Sequence, residues 1–465
     1  MTAFDVIDNS PVTKFHRKLL IACCGGPFLD GYIISLIGVA LIGFANDIPS
    51  NTVEAGLIGA ASVVGMFFGA TIFGALTDRI GREKMYALDL AVLVIACALS
   101  AFVDAAWQLI VLRFIIGLAI GADYPIATSL LTEFTPSKRR GFMIGLSGLA
   151  WTVGAMFAFL VSYIVVSFSG GYGQWRALLF SGAVVGIIVV LLRRGIPESP
   201  RWLAGKGRID EAEKVMKLVY GNHVTLDVAD ITADTRHRSF LGDLASLTRG
   251  GYLKRTIMCG TLYSTQIIPQ NVLYTFGGII LVAAGIHGSS AETLGQLLIA
   301  ALFAVGILPA LRLIETWGRR PMTVFPFALM SLAMIALGIW QNAPSWFVVA
   351  GFAFYALVSG GPSVLEWIYP NELFPTEVRA TAVGVAVACS RIGAAIGIYL
   401  TPIGITTIGL NGTLFIGAAI TVIGFLVCAA WAPETKGRTL AEAASIGSPR
   451  GSRDERAVAG SKGAS

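Results

Sequence analysis

Charged residues are scarce in this sequence. Asp, Glu, Lys and Arg make up only 13% of its 465 residues, about half of the share that is usual in soluble domains. Hydrophobic residues make up 55%, and the mean hydropathy is +0.74. This balance excludes a soluble globular protein and indicates a helical protein that crosses a membrane many times. The alternating ten-residue segments of an outer-membrane β-barrel are missing.

Residues for metal, redox and nucleotide chemistry are also few. The six cysteines fall in apolar runs and the four histidines in loops and tails, so we predict no disulfide framework and no metal site. No G-x-x-x-x-G-K-[ST] loop occurs, which argues against ATP as an energy source. We therefore expect a protein that is not an enzyme and has no cofactor. We also expect no cleavable signal peptide, because the first 18 residues contain no apolar run.

What the sequence does contain is a series of long apolar runs. Each is long enough to cross a bilayer as a helix. The runs predict twelve transmembrane helices, at 19–44, 54–77, 85–103, 107–132, 141–168, 174–194, 254–285, 291–314, 321–341, 345–370, 378–404 and 410–431.

Lysine and arginine define the orientation of these helices. Of the 34 basic residues, all but Arg113, Arg176 and Arg391 fall on one side of the predicted membrane. The positive-inside rule then places both termini in the cytosol of a plasma or bacterial inner membrane. The net charge of +6 is thus a topology signal, and we expect lipid rather than nucleic acid as a partner.

The chain repeats itself in its loops. The pattern E-x-x-P-[ST]-x-x-R occurs at 133–140 and again at 372–379. A Gly-Arg pair and a Pro-Glu pair also recur at nearly the same separation, at 81–82 and 318–319 and at 197–198 and 433–434. Such a repeat predicts two six-helix halves, the architecture of transporters that move two bundles around a central site.

The repeat also predicts the domain boundaries. We expect six-helix bundles at 19–194 and 254–431, a cytosolic N-tail at 1–18, a cytosolic linker with short helices at 195–253 and a largely disordered cytosolic C-tail at 432–465. Within the linker, Asp210 followed by Glu213 predicts a capped helix that ends at Gly221.

Several of these motifs resemble the major facilitator superfamily, and more narrowly its sugar-porter and metabolite–proton symporter branches. The segment 74–82 is similar to that superfamily's G-x-x-x-D-R-x-G-R loop. The segments 197–202 and 433–437 resemble the sugar-porter signatures after helices 6 and 12, and Trp367 ahead of Glu372-Leu-Phe-Pro resembles the helix-10 motif. The resemblance implies an all-α membrane fold of twelve helices in two repeats. It also implies a secondary transporter that takes up a sugar or sugar-like solute with a proton and works as a monomer.

Asp30 and Arg113 are the predicted proton-coupling residues. Asp30 is the only charged residue of 19–44 and lies roughly 16 Å along that helix, near the middle of the bilayer. A carboxylate there is costly unless it is paired, solvated or protonated, so it marks a functional site. Arg113 lies at a matching depth, and the resemblance also places an arginine there facing helix 1. A buried Asp that caps or kinks the helix is the structural alternative.

Charges at the cytosolic helix ends form a second predicted group. Carboxylate–guanidinium pairs between neighbouring helices can hold one side of a transporter closed. Ordinary headgroup anchoring is the alternative. The candidates for gating are Asp78, Arg79, Arg82, Glu133, Arg140, Glu315, Arg319, Glu372 and Arg379.

The third group is predicted to bind the solute. Gln266 and Asn271 match the helix-7 Q-x-x-x-x-N spacing of sugar porters, and amides can donate to and accept from hydroxyl groups. Hydrogen bonds between helices are the alternative for these two residues. The remaining candidates are aromatic or ionisable residues in apolar runs, namely Tyr274, Trp151, Trp367, Asp123, Glu366 and Arg391. A structural pair of Glu366 with Arg391 is equally compatible with the sequence.

Three departures from the sugar-porter pattern leave the solute open. Thr265 replaces a glutamine before Gln266, Gly148 stands at a helix-5 glutamine position, and Ile33 stands where helix 1 commonly has a second Asp. Two hexose contacts are therefore missing. An organic or aromatic acid is the alternative solute, and an exporter or a non-transporting sensor is a more distant one.

Overall fold

The structure is a computed structural model that describes residues 10–221, 252–340, 343–374 and 376–437, together with Leu247 and Glu442. Side chains within a few helical stretches, among them 74–80 and 137–142, lie outside this description. The predicted disorder of the C-tail falls beyond residue 437 and is likewise outside the described residues.

The described residues are almost entirely helical. The first half of the chain forms α1 (Lys14–Asp47), α2 (Thr52–Ile80), α3 (Arg82–Ser100), α4 (Ala106–Phe134), α5 (Ser137–Ser169), α6 (Trp175–Arg193), α7 (Pro200–Gly205) and α8 (Ile209–Tyr220). The second half forms α9 (Tyr252–Ala283), α10 (Ser289–Trp317), α11 (Pro321–Ile339), α12 (Ser345–Val358), α13 (Gly360–Leu373), α14 (Thr376–Thr407) and α15 (Gly409–Trp431).

The predicted fold class is confirmed. Eleven helical segments are long and apolar enough to cross a membrane, with α12 and α13 counted as one segment. The twelfth is α3, a helix of 19 residues that carries Lys84 near its start and Asp89 within it. Each predicted apolar run therefore corresponds to a helical segment, and most of these helices extend several residues beyond the run.

The run at 345–370 was predicted as one helix, but the structure divides it at Ser359. Pro362 has no N–H to donate to the preceding turn, which weakens the helix at this point. A Cβ on Gly360 would lie 2.1 Å from the carbonyl oxygen of Gly306 on α10. Glycine therefore permits the broken segment to pack directly against the backbone of α10.

The linker helix α8 differs slightly from its prediction. It begins at Ile209 with Arg208 as its N-cap residue, so Asp210 lies in the first turn and does not cap the helix. An acidic residue in the first turn still interacts favourably with the helix dipole. At the other end, Tyr220 donates a 2.7 Å hydrogen bond to the Phe134 carbonyl at the end of α4, and His16 Nε2 lies 3.0 Å from the same oxygen. Tyr220 thereby fixes the linker to α4, and its ring contacts that of His16 on α1, with centres 5.9 Å apart.

The chain divides into two compact units. The first unit comprises α1–α8 together with Tyr274–Ile279 of α9 and with His287–Ala300, which includes the start of α10. The second unit comprises the remaining parts of α9 and α10 with α11–α15. In the first unit α1 packs against α5 and α6, and α3 packs against α4 and α6; in the second, α11 packs against α15. The domain boundaries predicted from the repeat remain a prediction.

Candidate functional site

Five aspartate and arginine side chains are buried within the membrane-spanning helices of the first unit that the structure describes. They are Asp30 on α1, Asp89 on α3, Arg113 and Asp123 on α4, and Arg193 at the end of α6. Burial of a charged group inside a membrane protein is costly and therefore marks a functional site. Three of the five were predicted from the sequence as site residues, whereas Asp89 and Arg193 were not.

Arg113 connects α4 to two neighbouring helices. Its guanidinium donates a 2.8 Å hydrogen bond to Ser62 Oγ on α2 and a 3.3 Å hydrogen bond to the Ile33 carbonyl on α1. Asp30 lies three residues before Ile33 and is buried as well. Among the ion pairs of the described residues, the predicted pair of Asp30 with Arg113 does not occur. The coupling role of both residues remains a prediction.

Asp123 pairs with a different arginine. Arg193 Nη2 lies 2.5 Å from Asp123 Oδ1, and Arg193 Nη1 lies 4.0 Å from Asp89 Oδ1. The guanidinium also lies over the ring of Tyr86, 3.5 Å from its centre. We call Asp89, Asp123 and Arg193 the carboxylate–arginine cluster. Its three side chains are only 2–5% exposed.

A glycine makes room for this cluster. A Cβ on Gly26 would lie 1.7 Å from Asp123 Oδ2 and 2.4 Å from Arg193 Nη2. Any side chain at this position of α1 would displace the ion pair. The Gly25-Gly26-Pro27 segment of α1 thus allows charged groups from α3, α4 and α6 to meet at the α1 backbone.

The sequence held a signal for Asp89 that our prediction did not use. Asp89 is the only charged residue of the predicted run 85–103, which is the criterion that selected Asp30. Arg193 was harder to find because it ends its helix and was counted with the cytosolic loop charges. Its burial depends on the neighbouring helices, which a single sequence does not reveal.

Two predicted aromatic residues meet in the first unit. The rings of Trp151 on α5 and Tyr274 on α9 make an edge-to-face contact with centres 5.3 Å apart. Phe159, two turns further along α5, stacks on the same Tyr274 ring at 6.1 Å. Such a cluster offers an apolar, polarisable wall of the kind that lines sugar and aromatic ligands.

The second unit presents neutral amides. Gln266 on α9 donates a 2.7 Å hydrogen bond to Ser363 Oγ on α13, and both Gln266 Oε1 and Asn271 Oδ1 are buried without a hydrogen-bond partner among the described residues. Gln266 therefore makes the helix-to-helix contact that the structural alternative predicted, and it also keeps an unused acceptor. Unused buried acceptors are expensive and are normally satisfied by water or ligand.

Glu366 is the buried acid of α13. The Glu366 carboxylate interacts with its neighbours Trp367 and Arg391. No ion pair between Glu366 and Arg391 occurs among the described residues, and Glu366 Oε2 is buried without a hydrogen-bond partner among them. The predicted structural pair of Glu366 with Arg391 is therefore not formed as a direct contact. Trp367 and Arg391 are both half-buried.

Three gating candidates of the second half come together at the turn between α10 and α11. Arg319 lies 3.0 Å from Glu315 and 3.2 Å from Glu372, and Thr435 donates a hydrogen bond to Glu372. Burial opposes the charge of Arg319, but the carboxylates of Glu372 and Glu315 raise its pKa above the usual value. Arg379 instead donates a 3.2 Å hydrogen bond to the Phe374 carbonyl.

Most gating candidates of the first half have side chains that the structure does not describe. The side chains of Asp78, Arg79, Arg82 and Arg140 lie outside the described residues, and Glu133 is half-buried. Their gating role remains a prediction.

The glutamate of the second Pro-Glu motif binds the backbone at the start of α11. Glu434 accepts hydrogen bonds from the backbone N–H groups of Arg319 and Arg320, at 2.9 and 3.1 Å. Burial opposes ionisation of Glu434, but these amides and those of Thr435 and Lys436 hold its pKa below the usual value. The carboxylate therefore caps a helix N-terminus, where a negative charge is favourable.

These features define a multi-pass membrane transporter: twelve apolar helices, a repeat of two halves and ionisable groups buried within the helices. The chain belongs to the family described as sugar (and other) transporter, which matches residues 18–446.

Individual relatives agree with this assignment. The chain is 38% identical to the putative metabolite transport protein YaaU of Escherichia coli, over 94% of this chain and 97% of that protein. It is 30% identical to the arabinose-proton symporter of Bacillus subtilis, over 93% and 96%. Its fold is that of the E. coli xylose transporter XylE in an inward-open conformation, with a TM-score of 0.78 at 19% identity over 93% of this chain and 99% of the other.

Proposed function

We propose that the protein takes up a small polar metabolite together with a proton, by alternating access, in a cell membrane with both termini in the cytosol. The observation that carries this proposal is the separation of chemistry in the two units. The first unit buries groups that can exchange a proton, Asp30 and Asp123 among them, whereas α9 of the second unit offers Gln266 and Asn271. The names of relatives, an arabinose-proton symporter and a xylose transporter, support a sugar as the solute class.

An organic acid is the second candidate, and two observations favour it. The half-buried Arg391 is not engaged in an ion pair with Glu366 among the described residues. The sequence also lacks two of the polar positions that sugar porters carry, since Gly148 and Thr265 replace glutamines. A guanidinium can bind a carboxylate through two parallel hydrogen bonds, which an amide cannot do as strongly.

Uptake by purified protein in liposomes separates the two candidates. The vesicles receive an inward proton gradient and one labelled solute at a time, from a panel of pentoses, hexoses, sugar acids and aromatic acids. We expect accumulation of one class, and collapse of that accumulation when an ionophore dissipates the gradient. Accumulation that occurs only when the proton gradient is directed outward would show an antiporter. Saturable binding without any accumulation would show a sensor.

A further inference from the structure

The carboxylate–arginine cluster has a charge imbalance that the transport scheme built on Asp30 does not use. Two carboxyl groups surround one guanidinium, and all three groups are almost completely buried. Arginine keeps its proton in proteins. If both acids were ionised, the cluster would hold one uncompensated negative charge, which is strongly unfavourable in a buried site.

The position of the two acids points the same way. Asp89 and Asp123 both lie within 4.0 Å of the same guanidinium, so the two carboxyl groups are held close together. Two ionised carboxylates only accept hydrogen bonds, so they cannot satisfy each other. One proton held between them removes the repulsion and provides the missing donor.

The distances indicate which acid is ionised. Asp123 is the direct partner of Arg193, at 2.5 Å, whereas Asp89 lies 4.0 Å away. Asp89 Oδ1 accepts a 2.6 Å hydrogen bond from the Leu90 amide, and its Oδ2 is buried without a partner among the described residues. Asp123 Oδ2 is likewise buried without a hydrogen-bond partner among the described residues, so each acid has an oxygen that is available to share the proton.

We propose that Asp89 and Asp123 share one proton beside Arg193, and that this cluster is a proton-binding site of the first unit distinct from Asp30. The other titratable groups that act on it among the described residues are the Tyr86 phenol from α3 and the Cys23 thiol from α1. Both are neutral in their ordinary forms at pH 7, so neither supplies the missing charge. The occupancy of this site is independent of the solute, although its use in symport rests on the proposed function.

Three variants test the shared proton. Asp89→Asn and Asp123→Asn each leave one carboxylate for one guanidinium, so each single variant is balanced without a proton. The double variant leaves Arg193 as a buried cation with no carboxylate in the cluster. Asp104→Asn, which changes an exposed acid of the α3–α4 loop, serves as the control.

The first measurement is infrared spectroscopy of the purified full-length chain at neutral pH without solute. We expect the carbonyl band of protonated carboxyl groups to lose the intensity of one group in each single variant. Asp104→Asn should leave the band unchanged. An unchanged band in both single variants would overturn the proposal.

The second measurement is thermal unfolding, which also guards against variants that fold poorly. Both single variants should unfold close to the temperature of the unmodified protein, whereas the double variant should unfold roughly 5 °C or more below them, because it buries an unpaired charge. A double variant as stable as the single ones would contradict the charge count. Neither measurement uses a solute or a gradient. The shared proton can therefore be confirmed even if the proposed transport function is wrong, and it can be refuted even if that function is right.

Discussion

The two units of this transporter share their loop motifs but differ in their buried chemistry. In the first unit, helices α1, α3, α4 and α6 bury Asp30, Asp89, Arg113, Asp123 and Arg193. In the second unit, the buried polar groups in the middle of α9 are neutral: Thr265, Gln266, Gln270 and Asn271. Two buried charged residues occur in the membrane-spanning helices of this unit that the structure describes: Glu366 on α13, and Arg255 at the start of α9, which donates a 2.7 Å hydrogen bond to the Leu373 carbonyl.

Under the proposed function, this difference divides two tasks between the two units. A proton needs groups that change charge, and a change of charge in a buried site can shift a conformational equilibrium. A neutral polar solute needs donors and acceptors that keep their state throughout the cycle. Separation of the two sets lets protonation change the energy of the carrier without destroying the hydrogen bonds that recognise the solute.

The repeat is retained where both halves need the same structural function. Glu434 accepts from the backbone at the start of α11. In the first half, Glu198 occupies the equivalent place: a Cβ on Gly81, at the start of α3, would lie 2.6 Å from its carboxylate. Both glutamates belong to the repeated Pro-Glu pair. The two glutamates therefore lie at matching helix starts, those of α3 and α11, whereas the buried groups within the membrane-spanning helices of the two units differ.

Removal of the Asp30 carboxylate from α1 should have the largest effect on transport. Asp30→Asn keeps the shape of the side chain but cannot ionise, so it holds α1 in the state that a proton would produce. We expect accumulation driven by a pH gradient to be abolished, while exchange of labelled for unlabelled solute continues. Counterflow and gradient-driven uptake in the same liposomes measure the two activities separately.

Asp104→Asn is the matched control for this change, because it removes one acid from an exposed loop. Normal accumulation by Asp30→Asn would show that coupling does not need this carboxylate. The carboxylate–arginine cluster would then be the remaining proton-binding candidate of the first unit.

A change in the second unit should weaken solute binding and leave proton coupling intact, and its effect should be smaller. Gln266→Ala removes one donor and one acceptor from α9. We expect KM for the solute to rise roughly 5- to 30-fold, the equivalent of one or two hydrogen bonds of about 1 kcal/mol each. The dependence of uptake on the proton gradient should remain, which initial rates measured with and without an ionophore would reveal.

Ser363→Ala provides the control, since it removes the hydroxyl that Gln266 contacts but retains the amide. It should raise KM less than Gln266→Ala does. Equal effects of the two changes would show that Gln266 serves only the contact between α9 and α13, as the structural alternative predicts.

The sequence predicts the fold well for a physical reason. Hydrocarbon tolerates no unpaired backbone, so a long apolar run becomes a helix whatever its neighbours are. The same rule made Asp30 and Asp123 visible, because a charge in such a run has few structural explanations. The division at Ser359 was missed because it depends on the missing N–H of Pro362 and on close packing against Gly306.

The partners within the site were not predictable in the same way. Ser62 and Ser363, which accept from Arg113 and Gln266, are ordinary residues of apolar runs and carry no signal of their own. Arg113 was predicted as the partner of Asp30, but which acid an arginine meets depends on how each helix is rotated. Helix rotation follows from packing and not from hydrophobicity, so the pairing of Asp123 with Arg193 required the structure.

The last and smallest expected effect concerns the ion pairs of the second unit. Arg319 contacts Glu372, whose side chain is 16% exposed, and Glu315, whose side chain is 68% exposed. Because an exposed ion pair adds little stability, Glu315→Gln should change the free energy of unfolding by less than about 0.5 kcal/mol. Glu372→Gln should cost about 1–3 kcal/mol, since it weakens a partly buried pair with Arg319 and a hydrogen bond from Thr435. Thermal unfolding of the two variants side by side measures the difference, and equal unfolding temperatures would show that burial does not separate the two carboxylates.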